Sequence, residues 1–585
     1  MSLGLRTLLL AGAVLLAYAN SLHGSFHYDD FHSLLNNPHI RSLGAVPRFF
    51  ADPQLFSSDP EKAMYRPLLL VSYALNHAAG QYHPTGYHLV NLALHLGCAF
   101  LVWRLALQAG AGQAGAWAAG LLFGLWPLAG EPVNYICSRS ESLAALWYLG
   151  SLSLFIGGRP GGALLCFGLA LGSKEMAITL PAALWLADHF LGQRRPWCGY
   201  LPFAALGLAY VALLWSFGLI GGGGKPGPRG LGAQLWTQIK AGVYYLKLIA
   251  MPVGLNVEHA FAEAQGPGQP VVWLGLLLLV SLAWLGWRQR SRPSLLWPAL
   301  AGLALLPATL VPLNVLVNEH RLYLPLAFLA VGAGLAANGL WPYRRLGLAG
   351  LVLGAALVAQ RNREWTDELS LWRAAAARSP QAPRARVHLG EALRQGGDLA
   401  GARREFDAAL RLDPGHRAAR TNLGNLHYEA ALTQPDSAAA QREYALAAAQ
   451  YEEVLRRDPD FREALNNLGS IYLVLGRVVE AAQVYERVVA LSPHFPEAHY
   501  NLGLARRRQG QYALAAEAYR QALGLRPDAE TWCNLGEVLL LQGQGASDGG
   551  RAQWQEALNC FRQALAMEPG NPLAATRLRQ MGGGQ

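Results

Sequence analysis

Residues 466–493 read "NNLGSIYLVLGRVVEAAQVYERVVALSP". The same text returns, loosely spelled, as "HLGEALRQGGDLAGARREFDAALRLDP" at 388–414 and as "YNLGLARRRQGQYALAAEAYRQALGLRP" at 500–527. Each copy opens on a Leu-Gly pair, carries an aromatic in its second half and closes on proline. The Leu-Gly glycines are 390, 424, 469, 503 and 536, and the closing prolines are 380, 414, 459, 493, 527 and 569. Glycine spacings of 34, 45, 34 and 33 fix one period with one lengthened step, and the longer gap between prolines 527 and 569 marks a second. The extra residues fall at "ALTQPDSAAAQREYALA" (431–447) and "GQGASDGGRAQ" (543–553).

A 34-residue period with small residues, an aromatic in the second helix and a closing proline is the tetratricopeptide pattern. Each unit is a helical hairpin that cannot bury its apolar face alone, so the copies stack into a superhelix with a concave surface. Such arrays bind peptides or proteins. Asn422, Asn467, Asn501 and Asn534 begin the Asn-Leu-Gly triplets and recur on one helix face. Their amides carry paired donors and acceptors that suit an extended peptide backbone. The same residues would equally serve packing between hairpins.

Working back toward the N-terminus, the composition changes near residue 360. Hydrophobic residues make up 52% of the 585-residue chain and charged residues only 15%. That average joins an N-terminal half dominated by Leu, Ala, Gly and Trp to a half rich in Arg, Glu, Gln and Ala. Nearly uncharged stretches lie at 5–20, 87–103, 115–129, 141–157, 161–173, 175–190, 200–219, 270–287, 295–313, 322–339 and 345–360. The expectation is an all-α chain: a polytopic membrane domain of about eleven spans over 1–362, then a repeat domain of five to six units over 363–585. The first stretch ends near Ala17-Tyr18-Ala19, a small-residue pattern also found at signal cleavage sites, but the ten further segments favour a retained helix.

Basic residues orient the spans. With the N-terminus inside, the inner side holds Arg6, Arg104, Arg159, Arg194, Arg195, Arg288, Arg290, Arg292, Arg344 and Arg345. The short outer loops hold only Arg139, Lys174 and Arg321, while Arg361 and Arg363 run against the trend. An odd number of spans then puts the repeats outside the cytoplasm. The net charge of +10 comes without any basic cluster interleaved with aromatics, so nucleic acid is not an expected partner. The six cysteines, 98, 137, 166, 198, 533 and 560, have no metal-type spacing.

Four charged motifs fall on the outer side: Asp29-Asp30, "SRSE" at 138–141, "SKE" at 173–175 and "NEHR" at 318–321. Charges held at membrane level are costly and mark pathways or reactive sites. His88, Asn91 and His95 form a polar stripe along one span, which therefore faces protein or a water-filled cavity. Between Gly221 and His259 a flexible "GGGGKPGPRG" run leads into "LWTQIKAGVYYLKLIAMPVGLNVEH", read as a helix along the outer surface.

In order, "HYDDFHSLLNNPHIR", "YRPLLLVSYALNHAAG", "YHLVNLALHL", "EPVNYICSRSESLAALWYL", "SKEMAITLP", "YYLKLIAMPVGLNVEH", "NEHRLYLP" and the repeats extend along nearly the whole chain. This arrangement resembles the GT-C glycosyltransferases, specifically the TMTC-type transmembrane, tetratricopeptide-repeat protein O-mannosyltransferases and their bacterial relatives. The resemblance implies a polyprenyl-phosphate sugar as donor and Ser/Thr hydroxyls of exported proteins, held by the repeats, as acceptors. It implies that Asp29, with Asp30 beside it, is the catalytic acid of the first outer loop, taking the acceptor proton during inverting attack. Positive charge for the leaving phosphate falls to Arg321 and Lys174, then Arg66 and Arg139, with Glu175 and Glu319 orienting those cations and His88 and Asn91 in support. A divalent metal held by His27, His32 and the Asp pair is left open. The GC-biased composition and the lack of an endoplasmic-reticulum tail suggest a bacterial inner membrane, hence undecaprenyl phosphate and mannose or another hexose. Two alternatives are a membrane-anchored repeat scaffold without activity and a lipid-linked glycan ligase or transporter.

Overall fold

The computed structural model describes residues 2–59, 62–193, 195–220, 229–289, 293–337, 344–434, 436–544 and 550–582. Arg194, Arg290, Arg292, residues 221–228 of the glycine-rich run and 545–549 of the last insertion lie outside them. Among the described residues the chain is helical throughout, without a strand. It divides into two compact units, Met1–Pro380 and Gln381–Gln585.

The second unit is five helical hairpins and a final helix. The hairpin of 462–474 and 478–491 is typical. Aspartate caps open several helices: Asp398 accepts from the Gly401 amide, Asp436 from Ala438 and Ala439, and Asp528 from Thr531. Second helices end at 412, 457, 491, 525 and 567, each two residues before a repeat proline that cannot continue the turn. The first insertion is not a loop. It lengthens the helix that runs Ser437–Arg457.

The Leu-Gly glycines have one steric purpose. A Cβ at Gly390, Gly424, Gly469, Gly503 or Gly536 would lie 2.5–2.7 Å from the ring of Phe406, Tyr451, Tyr485, Tyr519 or Phe561, respectively. Each first helix thus presents a bare backbone on which the aromatic of the second helix lies. Every one of those rings is buried, worth about 1.5–3 kcal/mol apiece in apolar transfer.

In the first unit, each of the eleven hydrophobic stretches is a helix: 3–18, 84–108, 113–125, 139–156, 160–171, 180–191, 201–216, 270–288, 296–310, 323–336 and 344–364. Three described segments are long and apolar enough to cross a membrane, Gly4–His23, Pro84–Gln108 and Pro293–Leu310. Four shorter apolar helices accompany them. Helices 113–125 and 323–336 touch at small residues, where a Cβ on Gly334 would lie 2.6 Å from the Gly115 carbonyl oxygen.

Two further helices position the site. Pro67–Gly80 interrupts what the sequence suggested was one long loop; its buried Leu69, Leu70, Tyr73 and Ala74 join a satellite core with Leu34, Ile40 and Phe49. Leu231–Ala250 is helical, as the lysine and aromatic spacing there predicted. It packs on the 270–288 and 296–310 helices, and its buried residues are Gln234, Thr237, Ala241, Tyr245 and Leu248. The Gln234 amide donates to the carbonyls of Ala308, Thr309 and Val311, a polar anchor at one end of a mixed buried face. The first unit extends past residue 362 because Trp365 and Leu371 pack on Tyr135.

Candidate active site

The loop after the first helix turns sharply at Tyr28, one of two non-glycine residues with positive φ (47°) among those described. Such a backbone costs on the order of 1–3 kcal/mol and persists only where surroundings enforce it. The enforcement is visible on both sides. His27 is fully buried, with Nδ1 2.9 Å from Glu368 and Nε2 2.9 Å from the Trp365 carbonyl. Both partners are acceptors, so the ring carries both protons; burial opposes this, and Glu368 and Asp30 outweigh it. Next comes a π-helical turn, Phe31–Leu35, a geometry frequent at functional sites.

The two aspartates just before that turn have different surroundings. Asp30 is buried, and its carboxylate accepts from the His27 and Cys137 amides, each at 2.8 Å. Burial lifts its pKa to about 6 against the pull of those donors. Asp29 points the other way, with 43% of its side chain exposed. Its Oδ1 lies 3.1 Å from His32 Nε2, and His32 Nδ1 lies 3.0 Å from Ser57 Oγ. Burial pushes Asp29 up, but His32, the Tyr135 hydroxyl and Lys62 more than offset it, leaving the carboxyl below its ordinary range. Asp29 is therefore the accessible, ionised carboxylate, and Asp30 anchors the loop.

One stretch, 131–141, receives all three other charged loops. The Tyr135 hydroxyl meets the Asp29 amide at 3.1 Å, and the Cys137 amide donates to Asp30. Glu141 pairs with Lys174. Glu131 Oε1 lies 2.9 Å from His320 Nδ1, whose other nitrogen is 3.6 Å from Glu141. The four motifs singled out by sequence thus converge. Around Lys174, Arg66 forks onto Glu175 at 3.0–3.3 Å, and Arg321 donates to the carbonyls of Val315 and Leu316. Burial pushes the His320 imidazole down to about 3, with Lys174, Arg321 and Arg66 adding to the push and Glu141 opposing it. Arg66 and Lys174 hold the half-exposed Glu175 carboxyl below its ordinary range.

Arg139 lies elsewhere. It is fully buried and donates to Asn91 Oδ1 (2.6 Å), Asn76 Oδ1 (2.7 Å), Ser72 Oγ (3.1 Å) and the Tyr87 carbonyl (2.9 Å) between the Tyr73 and Tyr87 rings. Its donors are spent on protein, which corrects its assignment to the phosphate. His88 and Asn91 belong to the same internal network, reaching the Gly24 and Val133 carbonyls, so they brace the loops rather than meet a ligand. The polar stripe does face protein, and His95 continues it to the Tyr323 hydroxyl at 2.8 Å.

Glu319 does not orient Arg321 either. It is buried, accepts from the Asn256 amide and lies 3.1 Å from His259 and 3.8 Å from Arg361. Arg361, the residue that broke the charge bias, is thus an internal partner of a buried carboxylate. Burial and then Glu319 raise Glu131 to about 8. Glu131, Glu141, His259 and His320 were not named as site residues; the available signal was a charge placed at the end of an apolar run. Metal binding by His27, His32 and the aspartates does not fit, since His27 and Asp30 spend their polar atoms on protein, and no group of three ligand-type side chains forms among the described residues.

In the repeats, Asn467 donates to Asn425 at 3.0 Å and Asn501 to Asn466 at 3.1 Å, linking successive first helices. Asn534 donates to the Glu530 carbonyl and the Tyr500 hydroxyl and accepts from Arg507. Asn422 is half-buried on the equivalent face.

Tetratricopeptide-repeat models match residues 353–417, 397–431 and 432–496, and another such model matches 496–528. Curated relatives include a protein O-mannosyl-transferase of Caenorhabditis elegans, 25% identical over 71% of this chain and 64% of that protein. Protein O-mannosyl-transferase Tmtc1 of Drosophila melanogaster is 33% identical over 31% of this chain and 22% of its own length. For mouse TMTC2 the figures are 32%, 32% and 24%. The chain therefore spans less than two thirds of the length of these relatives. The resemblance read from the motifs holds: the relatives are TMTC-type protein O-mannosyltransferases, and the repeats are recognised in their own right.

Proposed function

We propose that this homologue of the TMTC-type enzymes is a multi-pass membrane glycosyltransferase of the GT-C kind. Its eleven apolar helices span the bilayer, and it moves a sugar from a polyprenyl-phosphate carrier to Ser/Thr hydroxyls of exported proteins. The observation that carries this reading is the convergence on residues 131–141 of the loops that bear one accessible carboxylate, Asp29, and two cations, Lys174 and Arg321, with Arg66 held by Glu175 beside Lys174. An alcohol is a weak nucleophile until a positioned base takes its proton, and a departing phosphate gathers charge that cations stabilise. Asp29 accepts the hydroxyl proton while the oxygen attacks the anomeric carbon opposite the phosphate. The C–O bond to phosphate breaks, its electron pair stays on the phosphate oxygen, and the anomeric centre inverts. Lys174 and Arg321 face the leaving oxygens, with Arg66 beside them.

The repeat unit binds the acceptor proteins, with Asn422 and the amide hydrogens that Asn467 and Asn501 do not spend on Asn425 and Asn466 available to an extended backbone. The active end and the repeats lie on the extracytoplasmic side of an inner membrane, the donor is an undecaprenyl-type phosphate hexose, and nucleic acid is not a partner. No step requires a metal. Mass spectrometry of envelope glycopeptides tests the reading. Hexosylated Ser/Thr peptides present with the intact gene should vanish in its absence and in an Asp29→Asn strain; their persistence in both would sink it.

A further inference from the structure

The helix Glu368–Arg378, eleven residues that follow the last apolar helix, holds a loop at each end. At its start it grips the loop of the aspartates. The Ser25 amide donates to the Thr366 carbonyl at 3.1 Å, and one Glu368 oxygen takes His27 Nδ1 at 2.9 Å and the Tyr28 amide at 3.2 Å. The other Glu368 oxygen accepts from Trp372 Nε1 at 2.6 Å, and the Trp372 ring meets Tyr28 edge-on, 6.0 Å between centroids. These contacts fall on His27 and the positive-φ Tyr28, directly before Asp29. At its other end the helix grips residues 256–260. Ser379 Oγ accepts from the Asn256 side-chain amide at 2.9 Å and from the Ala260 backbone amide at 3.1 Å, and the Ala375 carbonyl takes a further bond from Asn256 at 3.2 Å. The Asn256 backbone N–H is spent on Glu319, two residues before Arg321. Asn256, Glu319 and Ser379 are all buried. A chain of ion pairs, Arg378 to Glu364 to Arg361 to Glu319, makes the same connection.

We infer that helix 368–378 is a strut of the transferase site, fixing the loop of the base, Asp29, relative to the loop of the phosphate cation, Arg321, with Glu368 and Ser379 as positioning residues at its two ends. The inference rests on the function proposed above and extends that site to residues beyond the last apolar helix. A helix suits the task because its own hydrogen bonds fix its length, about 16 Å for eleven residues. A reacting group misplaced by about 1 Å can cost a hundredfold in rate. The grip at Glu368 is electrostatic. Glu368, Asp30 and His88 surround His27; burial opposes the imidazolium charge, and Glu368 and Asp30 more than offset it. A histidine raised in this way stabilises its loop at low pH and releases it as pH rises through its own pKa.

The test combines amide hydrogen exchange of the full chain in nanodiscs with steady-state transfer. In Glu368→Gln, the amides of 25–31 should exchange about tenfold faster while those of 254–260 keep their rate, and Ser379→Ala should do the opposite. Glu368→Gln should lower kcat about tenfold at unchanged donor KM, whereas Ser379→Ala should raise donor KM about tenfold at nearly constant kcat. Glu368→Gln should also move the alkaline limb of the kcat profile to lower pH, and Glu368→Asp, which keeps the charge, should restore it. If Glu368→Gln does not fold, Trp372→Phe removes only the donor to the second Glu368 oxygen and should move the same peptide and the same constant. Unchanged exchange at 25–31, an alkaline limb that stays in place, or equal effects of the two ends on kcat and KM would each overturn the assignment. Because exchange needs no turnover, a chain whose loops loosen as described but which transfers no sugar keeps the strut and loses the transferase reading.

Discussion

At the scale of single residues, the two adjacent aspartates separate into different kinds of group. Sequence placed them together, and their neighbours in space assign them apart. Asp29→Asn should cut transfer by at least about a hundredfold, the usual share of a positioned base, while leaving thermal stability unchanged. Asp30→Asn should do the reverse. An amide oxygen can replace only one of the two carboxylate oxygens, so one of the buried His27 and Cys137 N–H groups is left facing an NH2 group, at a cost of about 1–3 kcal/mol read as a lowered melting temperature. A base works only when ionised, so the acid limb of transfer should lie below the ordinary aspartate value. His32 lowers Asp29, and His32→Ala should move that limb to higher pH in a kcat/KM profile. In the repeats, Gly469→Ala sets a methyl group against Tyr485 and should cost about 1–3 kcal/mol in denaturant unfolding. The glycines were legible as a period, but the reason for each was not, because the ring that meets it lies 16 to 27 residues further on.

At the scale of elements, the sequence predicted helices better than it predicted duties. Every apolar stretch became a helix, since uncharged residues at that density leave the backbone few other ways to satisfy itself. The helix at 67–80 was hidden inside a loop because His77 and Asn76 break its apolar pattern near the end. Arg139 shows the limit most clearly. Its neighbours in "SRSE" suggested an exposed loop, but the residue opens the 139–156 helix with its guanidinium driven inward. Lysine has no planar fork to reach Asn91, Asn76 and the Tyr87 carbonyl together. Arg139→Lys should therefore reduce the yield of folded protein, whereas Arg321→Lys should fold normally and raise donor KM. Thermal melting monitored by fluorescence, alongside steady-state kinetics, separates the two.

At the scale of the whole molecule, the division near residue 380 follows from two kinds of stability. The array sums contacts between neighbours, so a fragment comprising 381–585 should express alone as a soluble helical protein with cooperative unfolding by circular dichroism. The first unit instead closes on long-range pairs, such as His27 with Glu368 and His95 with Tyr323, which no periodicity announces. Orientation has its own reporter in the exposed Cys198, between helices 180–191 and 201–216. With the N-terminus inside, a membrane-impermeant maleimide should label it only after cells are opened. Residues 131–141 carry a consequence for how the chain tolerates changes in length. Their partners come from loops distant in sequence, but the spacing between those partners is set within one short stretch. One residue inserted between Cys137 and Glu141 would swing Glu141 by about 100° around the helix axis, away from Lys174, with Asp30 still held. Extra residues are instead accommodated inside a repeat hairpin, as at 431–447, where they lengthen the second helix.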